Sequence, residues 1–181
     1  MSLTKSDKAE IKKMIQEALT EPQDTAVELP TWEPNVLKKS KMLGIEIASE
    51  NYWEIDGDGE KKEHFTWDEA MEIEKKLPDG WRLPTRSEWV VLAEEFGVDD
   101  NGELDKDIFM QNLTMYYTGY VNGGSVYSPS VDAFYWSRTA YSETLAYDLD
   151  FYSGGGFGPQ SASYKYYGFA VRCVRDMEGE E

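Results

Sequence analysis

Helix signals run to about residue 110 of this chain and two-residue alternation takes over beyond it, a change that constrains the fold more than any other feature. Two helix starts stand in the first part. Thr66-Trp67-Asp68-Glu69 and Thr85-Arg86-Ser87-Glu88 are capping boxes, in which Thr and Glu side chains satisfy each other's free amides. The second opens a helix with Trp89, Leu92, Ala93 and Phe96 on one face. Beyond it, residues 115–121, 133–138, 144–152 and 167–175 read as strands between Gly-, Ser- and Pro-rich loops. In the third of these, Leu145, Tyr147, Leu149 and Phe151 alternate with Ala146, Asp148, Asp150 and Tyr152. One face is expected in the core and the other in water, as in a half-buried antiparallel strand. Helices followed by an antiparallel sheet predict an α+β fold.

Upstream, Ile11, Met14, Ile15, Ala18 and Leu19 make one apolar stripe, so residues 1–21 are expected to hold a short amphipathic helix. Such a helix packs on the domain or on a partner, which leaves oligomerisation through it open. Pro22, Pro30 and Pro34 mark residues 22–35 as a linker, and the main domain is expected over 36–177. Lys41 to Ser49 and Tyr52 to Ile55 read as further strands, and Asp56-Gly57-Asp58-Gly59 as a turn.

Charge narrows the function classes. With 35 acidic against 18 basic residues, a net charge of -17 argues against nucleic acid and against an anionic membrane surface. No apolar run approaches the roughly 18 residues of a membrane span. The opening Met-Ser-Leu-Thr-Lys-Ser lacks a secretory core, so synthesis in the cytoplasm is expected, with delivery by a carrier such as a virus particle. Cys173 has no cysteine to pair with, and His64 is the sole histidine.

The most distinctive composition lies late in the chain. Positions 141–167 hold six Tyr, four Ser, four Gly and two Asp in 27 residues, the make-up of a paratope. Tyr supplies rigid amphipathic contact area while Ser and Gly adapt around it. The expected binding residues are Tyr141, Ser142, Asp148, Asp150, Tyr152, Ser153, Gly155, Gly156, Ser161, Ser163, Tyr164, Tyr166 and Tyr167. Tyr147, on the apolar face, is assigned to the framework.

Three segments carry a family resemblance: Phe65-Thr66-Trp67-Asp68-Glu69-Ala70, Gly80-Trp81-Arg82-Leu83-Pro84-Thr85-Arg86-Ser87-Glu88-Trp89, and Tyr135-Trp136-Ser137 with Gly168-Phe169-Ala170-Val171-Arg172-Cys173-Val174-Arg175. Over residues 40–176 the chain resembles the bacterial and phage branch of the C-type lectin fold, including the "major paralogous domain" proteins. The stretch 136–172 is also similar to the variable region of retroelement-diversified proteins of the phage tropism-determinant kind. There, mutation of template adenines turns Asn codons into codons for Tyr, Ser, Asp, Gly, Ala and Thr. The resemblance implies two helices with an antiparallel sheet and long loops, and a displayed binding surface. Its implied setting is a phage or prophage tail, or a bacterial surface, with an unknown protein or glycan on a cell surface as ligand. A virion or assembly module, and a plain glycan-binding lectin, are the alternatives.

Catalysis and metals find little support. Cys173 falls on an apolar strand face as a core thiol, and His64 directly precedes a helix cap. Formylglycine-generating enzymes share the general fold but require a pair of cysteines. Glu33-Pro34-Asn35 matches part of a lectin calcium motif but sits in the linker, and Asp56-Gly57-Asp58-Gly59-Glu60 lacks the spacing of a calcium loop. No cofactor, metal site or enzymatic activity is expected. Arg82, Arg172 and Arg175 are expected to pair with acidic or carbonyl groups inside the framework.

Overall fold

The computed structural model describes residues 30–78 and 80–177, with Ala9 and Lys13. Apart from those two residues, the expected N-terminal helix and most of the linker lie outside the described residues. Three helices occur among them: α1 (Trp67–Glu74), α2 (Arg86–Phe96) and α3 (Lys106–Leu113). The ten strands are short and pair antiparallel in small sheets, which makes the protein α+β. No helix among the described residues is long and apolar enough to cross a membrane.

The chain divides into two units. In the smaller one, Trp53–Glu63 forms a hairpin of β3 (Glu54–Ile55) and β4 (Lys61–Lys62). Asp56 builds its turn: one carboxylate oxygen accepts the amides of Asp58 and Glu60, each at 2.9 Å. The acidic run is therefore a turn, as its Asp-Gly spacing predicted.

The larger unit takes in Pro34–Tyr52 and His64 onward. One of its sheets has the order β1 (Val36–Ser40), β2 (Ile45–Asn51), β10 (Arg172–Asp176). The other is β7 (Asp132–Ala140), β8 (Leu145–Tyr152), β9 (Phe157–Tyr164). A separate hairpin joins β5 (Tyr120–Asn122) to β6 (Ser125–Tyr127). Both capping boxes are formed, at Thr66 and at Thr85, so α1 and α2 start where the sequence predicted. Trp89, Leu92 and Ala93 of α2 are fully buried in one core with Ile45, Ile47, Tyr135, Leu149 and Phe151.

Buried arginine and tryptophan donors close the polar gaps in this core. The Arg172 guanidinium donates to the Asn51 Oδ1 at 2.8 Å and to the carbonyls of Ala48, Leu113 and Thr114 at 3.0 to 3.2 Å. It thereby ties β2 to the C-terminus of α3, where Thr114 takes a left-handed φ of 51°. A cation there meets carbonyls that the helix itself leaves unpaired. In β7 the register with β8 slips between Trp136 and Ala140, which takes carbonyls out of the ladder. The indole of Trp89 donates to the Trp136 carbonyl at 3.3 Å and that of Trp67 to the Ser137 carbonyl at 2.9 Å. Arg82 makes a two-pronged bond to Glu88, and Arg175 reaches Glu46, which meets the expectation for the framework arginines.

Several elements depart from the sequence reading. Residues 41–44, read as the start of a strand, are the turn between β1 and β2, closed by the Gly44 amide on the Ser40 carbonyl at 3.0 Å, and the strand expected over 115–121 is formed only from Tyr120. Residues 106–113, for which the sequence reading has no element, form α3, which Asp105 caps and Phe109 and Leu113 anchor. Residues 157–164, read as loop, form β9 because β8 offers it a complete ladder partner. Its Gly and Pro give little strand signal of their own.

Candidate functional site

The position of β8 governs the site. It is the middle strand of its sheet, and both of its faces are covered. On one face lie Leu149 and Phe151, with Tyr135 alongside and Trp89 of α2 edge-on at 6.5 Å. On the other lie Ala146, Asp148 and Asp150, opposite Trp136 and Phe134 of β7. Phe169 stacks on both of those rings, at 4.2 Å and 4.8 Å between centroids, and so roofs this second face.

That roof overturns the expectation that Asp148 and Asp150 project into water: Asp148 is 0% exposed and Asp150 7%. The alternation of β8 was read correctly as two faces, yet both are buried. Asp150 is well supplied, accepting from the Tyr152 hydroxyl at 3.1 Å and from the Ser161 hydroxyl and the Gly158 amide. A Cβ at Gly158 would overlap the Asp150 carboxylate, so glycine is what lets β9 approach. Asp148 differs, since neither of its carboxylate oxygens has a hydrogen-bond partner. Burial pushes its carboxyl up to about 8, and the Asp150 charge adds to this, while the neighbouring Ser163 hydroxyl acts in the opposite sense. Burial also raises Asp150, against its three donors.

The tyrosines are displayed. Tyr166 is 59% exposed and Tyr164 48%, and their rings stack at 5.2 Å. Tyr167 packs against both and against Phe169 beneath, which roots the exposed rings in the core. From Tyr167 the rings continue to Tyr120 at 5.4 Å, and from there to Tyr127 and Phe134. Phe134 meets Tyr152 at 5.8 Å. One band of aromatic rings therefore runs across the face. Gly168 permits the junction, since a Cβ there would come within 2.9 Å of the Val121 Cβ and push β5 away.

This band brings together some of the expected residues and separates others. Tyr164, Tyr166 and Tyr167 lie beside the β7–β8 turn, where the Lys165 amide bonds the Thr144 carbonyl at 3.0 Å. Ser142, exposed, folds that turn through its hydroxyl to the Thr144 and Leu145 amides. Ser153, Gly155 and Gly156 form the exposed turn at the opposite end of β8, roughly 25 Å away over eight extended residues. Ser161 and Ser163 are half-buried beside the two aspartates. Tyr141 stands apart from the band, edge-on to Tyr147, whose other partner is the Arg86 guanidinium at 4.7 Å. Tyr147 is thus a framework residue, as expected.

The sequence reading missed Tyr120 and Tyr127. They belong to a hairpin over Gly123-Gly124, outside the Tyr-rich run, and their signal was a second group of tyrosines at 116–127. His64 donates from Nε2 to the Thr118 carbonyl, 2.9 Å away, and Cys173 is fully buried with its thiol pushed up by burial. No three His, Cys, Asp or Glu side chains gather as a metal set among the described residues. Comparison with known protein families and with curated proteins finds no match to this chain.

Proposed function

We propose that this protein binds a ligand through the tyrosine-rich face, without catalysis, on a scaffold of the C-type-lectin kind. The observation that carries the reading is the aromatic band: exposed tyrosine rings already stacked and rooted in buried Phe169 and Phe134. Rings held in place before binding lose little freedom on contact, so their area and hydroxyls convert to affinity efficiently. The serines and glycines of the adjoining turns supply adaptable contacts.

The scaffold reading rests on the Trp81-Arg82-Leu83-Pro84-Thr85 and Gly168-Phe169-Ala170-Val171-Arg172-Cys173 strings, whose side chains close the core and cap α2. On the same ground we propose that residues 136–172 are diversified, and that the protein works on a phage tail or a bacterial surface. The most exposed tyrosines of that stretch, Tyr141, Tyr164 and Tyr166, are the ones whose exchange disturbs the core least.

Glycan-array and cell-binding assays on Tyr164→Ala and Tyr166→Ala test the reading. A loss of tenfold or more is expected, the scale of an interface hot spot. Unchanged binding of every probe together with altered oligomerisation would instead make this face a subunit contact.

A further inference from the structure

The end of the band at Tyr152 differs chemically from the end at Tyr164. Acidic side chains surround the Tyr152 hydroxyl: it donates to Asp150 at 3.1 Å, Asp148 lies on the same face of β8, and Asp132 faces Tyr152 across the β7–β8 ladder. No lysine, arginine or histidine offsets them among the described residues, and β9 contributes only the hydroxyls of Ser161 and Ser163. Asp148 is wholly buried and no hydrogen bond of good geometry reaches either of its oxygens, although a buried carboxyl group ordinarily has a partner. Over these acids lie aromatic rings whose negative faces also attract cations.

The protein's own cations show what such rings accept. Arg86 sits over Tyr147 at 4.7 Å, Lys165 over Trp67 at 4.3 Å and Arg175 over Trp81 at 4.9 Å. Each of these cations is held within its own framework, and none serves the acids at Tyr152.

Building on the ligand-binding reading, we propose that the Tyr152 end is a cation subsite, which receives a lysine or arginine side chain of a protein ligand. The ring faces of the band supply area, Tyr152 and Asp150 supply the polar contact, and Asp132 across the ladder supplies a second carboxylate. With a net charge of -17, the surface draws a basic ligand from a distance and the subsite fixes where its charge lands.

The test uses the full chain and short peptide amides that differ only in a central Arg, Lys, citrulline or Glu. Binding is followed by ring-proton chemical shifts and by titration at two salt concentrations. The Arg and Lys peptides are expected to bind about tenfold tighter than the citrulline and Glu peptides and to shift Tyr152 and Phe134. Asp150→Asn should remove that preference. Tyr152→Phe, which keeps the ring and loses only the hydroxyl, should weaken it if the Asn variant does not fold. Equal binding of Arg and citrulline, or a preference that survives both variants and fades only with salt, overturns the proposal. If a glycan or neutral peptide binds and is lost in Tyr164→Ala, the ligand-binding reading stands while the cation subsite falls. If no probe responds to any of these variants, both fall.

Discussion

Asp148→Asn is the substitution from which the structure predicts most. An acid whose folded carboxyl titrates near 8 instead of 3.8 keeps its proton in the folded state over pH values where the unfolded chain has released it. Stability from this group is complete below pH 4, is lost steadily as pH rises, and stays lost above pH 8. Each pH unit in that window is worth about 1.4 kcal/mol, so by pH 7 the wild-type carboxyl has forfeited about 4 kcal/mol. Asparagine has the same shape and no proton to lose. The variant should match the wild type near pH 4, gain on it by about 4 kcal/mol at pH 7, and hold a constant advantage above pH 8. It also relieves Asp150 of a like charge, which works in the same direction. Denaturant unfolding followed by tryptophan fluorescence, at fixed ionic strength from pH 4 to 9, measures the difference directly. A stability difference that does not change with pH would refute the reasoning, because it would mean that Asp148 is ionised in both states or finds a partner in solution.

Three further outcomes follow from the packing. Arg172→Met should lower stability by about 3–5 kcal/mol in denaturant unfolding, since Asn51 and three buried carbonyls lose their donor, and Arg172→Lys should restore little, because one ammonium cannot reproduce the fork. Burial alone would raise the Glu88 carboxyl, but the bonds from Arg82 and Thr85 hold it below its ordinary value, so its stabilisation is present above about pH 4 and lost as pH falls through the folded value. Glu88→Gln should flatten the acid arm of the stability profile below pH 4. Gly168→Ala should destabilise by about 1–3 kcal/mol and weaken the near-ultraviolet tyrosine circular dichroism, as β5 is pushed off and the Tyr120–Tyr167 contact opens.

Features set by neighbours along the chain were legible beforehand. The two capping boxes, the Asp56 turn and the apolar stripe of α2 each depend on residues within a few positions, and each formed as read. The pairing of the framework arginines was also foreseen in kind, because a buried guanidinium must find acceptors. The short α3 was missed, since eight residues with two apolar anchors barely register as a period and its stability comes from Phe109 in the core.

Among candidate site residues, the exposure of Tyr164 and Tyr166 could be anticipated from composition, whereas the environment of Asp148 and Asp150 could not. Alternation states that successive side chains point to opposite faces; it does not state what covers each face. Phe169, nineteen positions beyond Asp150 in the sequence, decides that by stacking on Phe134 and Trp136. The same holds for the band of rings, which is continuous only because the β5–β6 hairpin docks beside Gly168. The sequence by itself determined where helices start, which residues alternate and that tyrosines would be plentiful near the C-terminus, because those follow from short-range geometry. Only the tertiary structure decided that β8 is a central strand, that its aspartates are buried without a counter-charge and that tyrosines from two distant segments share one surface, because burial is fixed by which segments pack over a face.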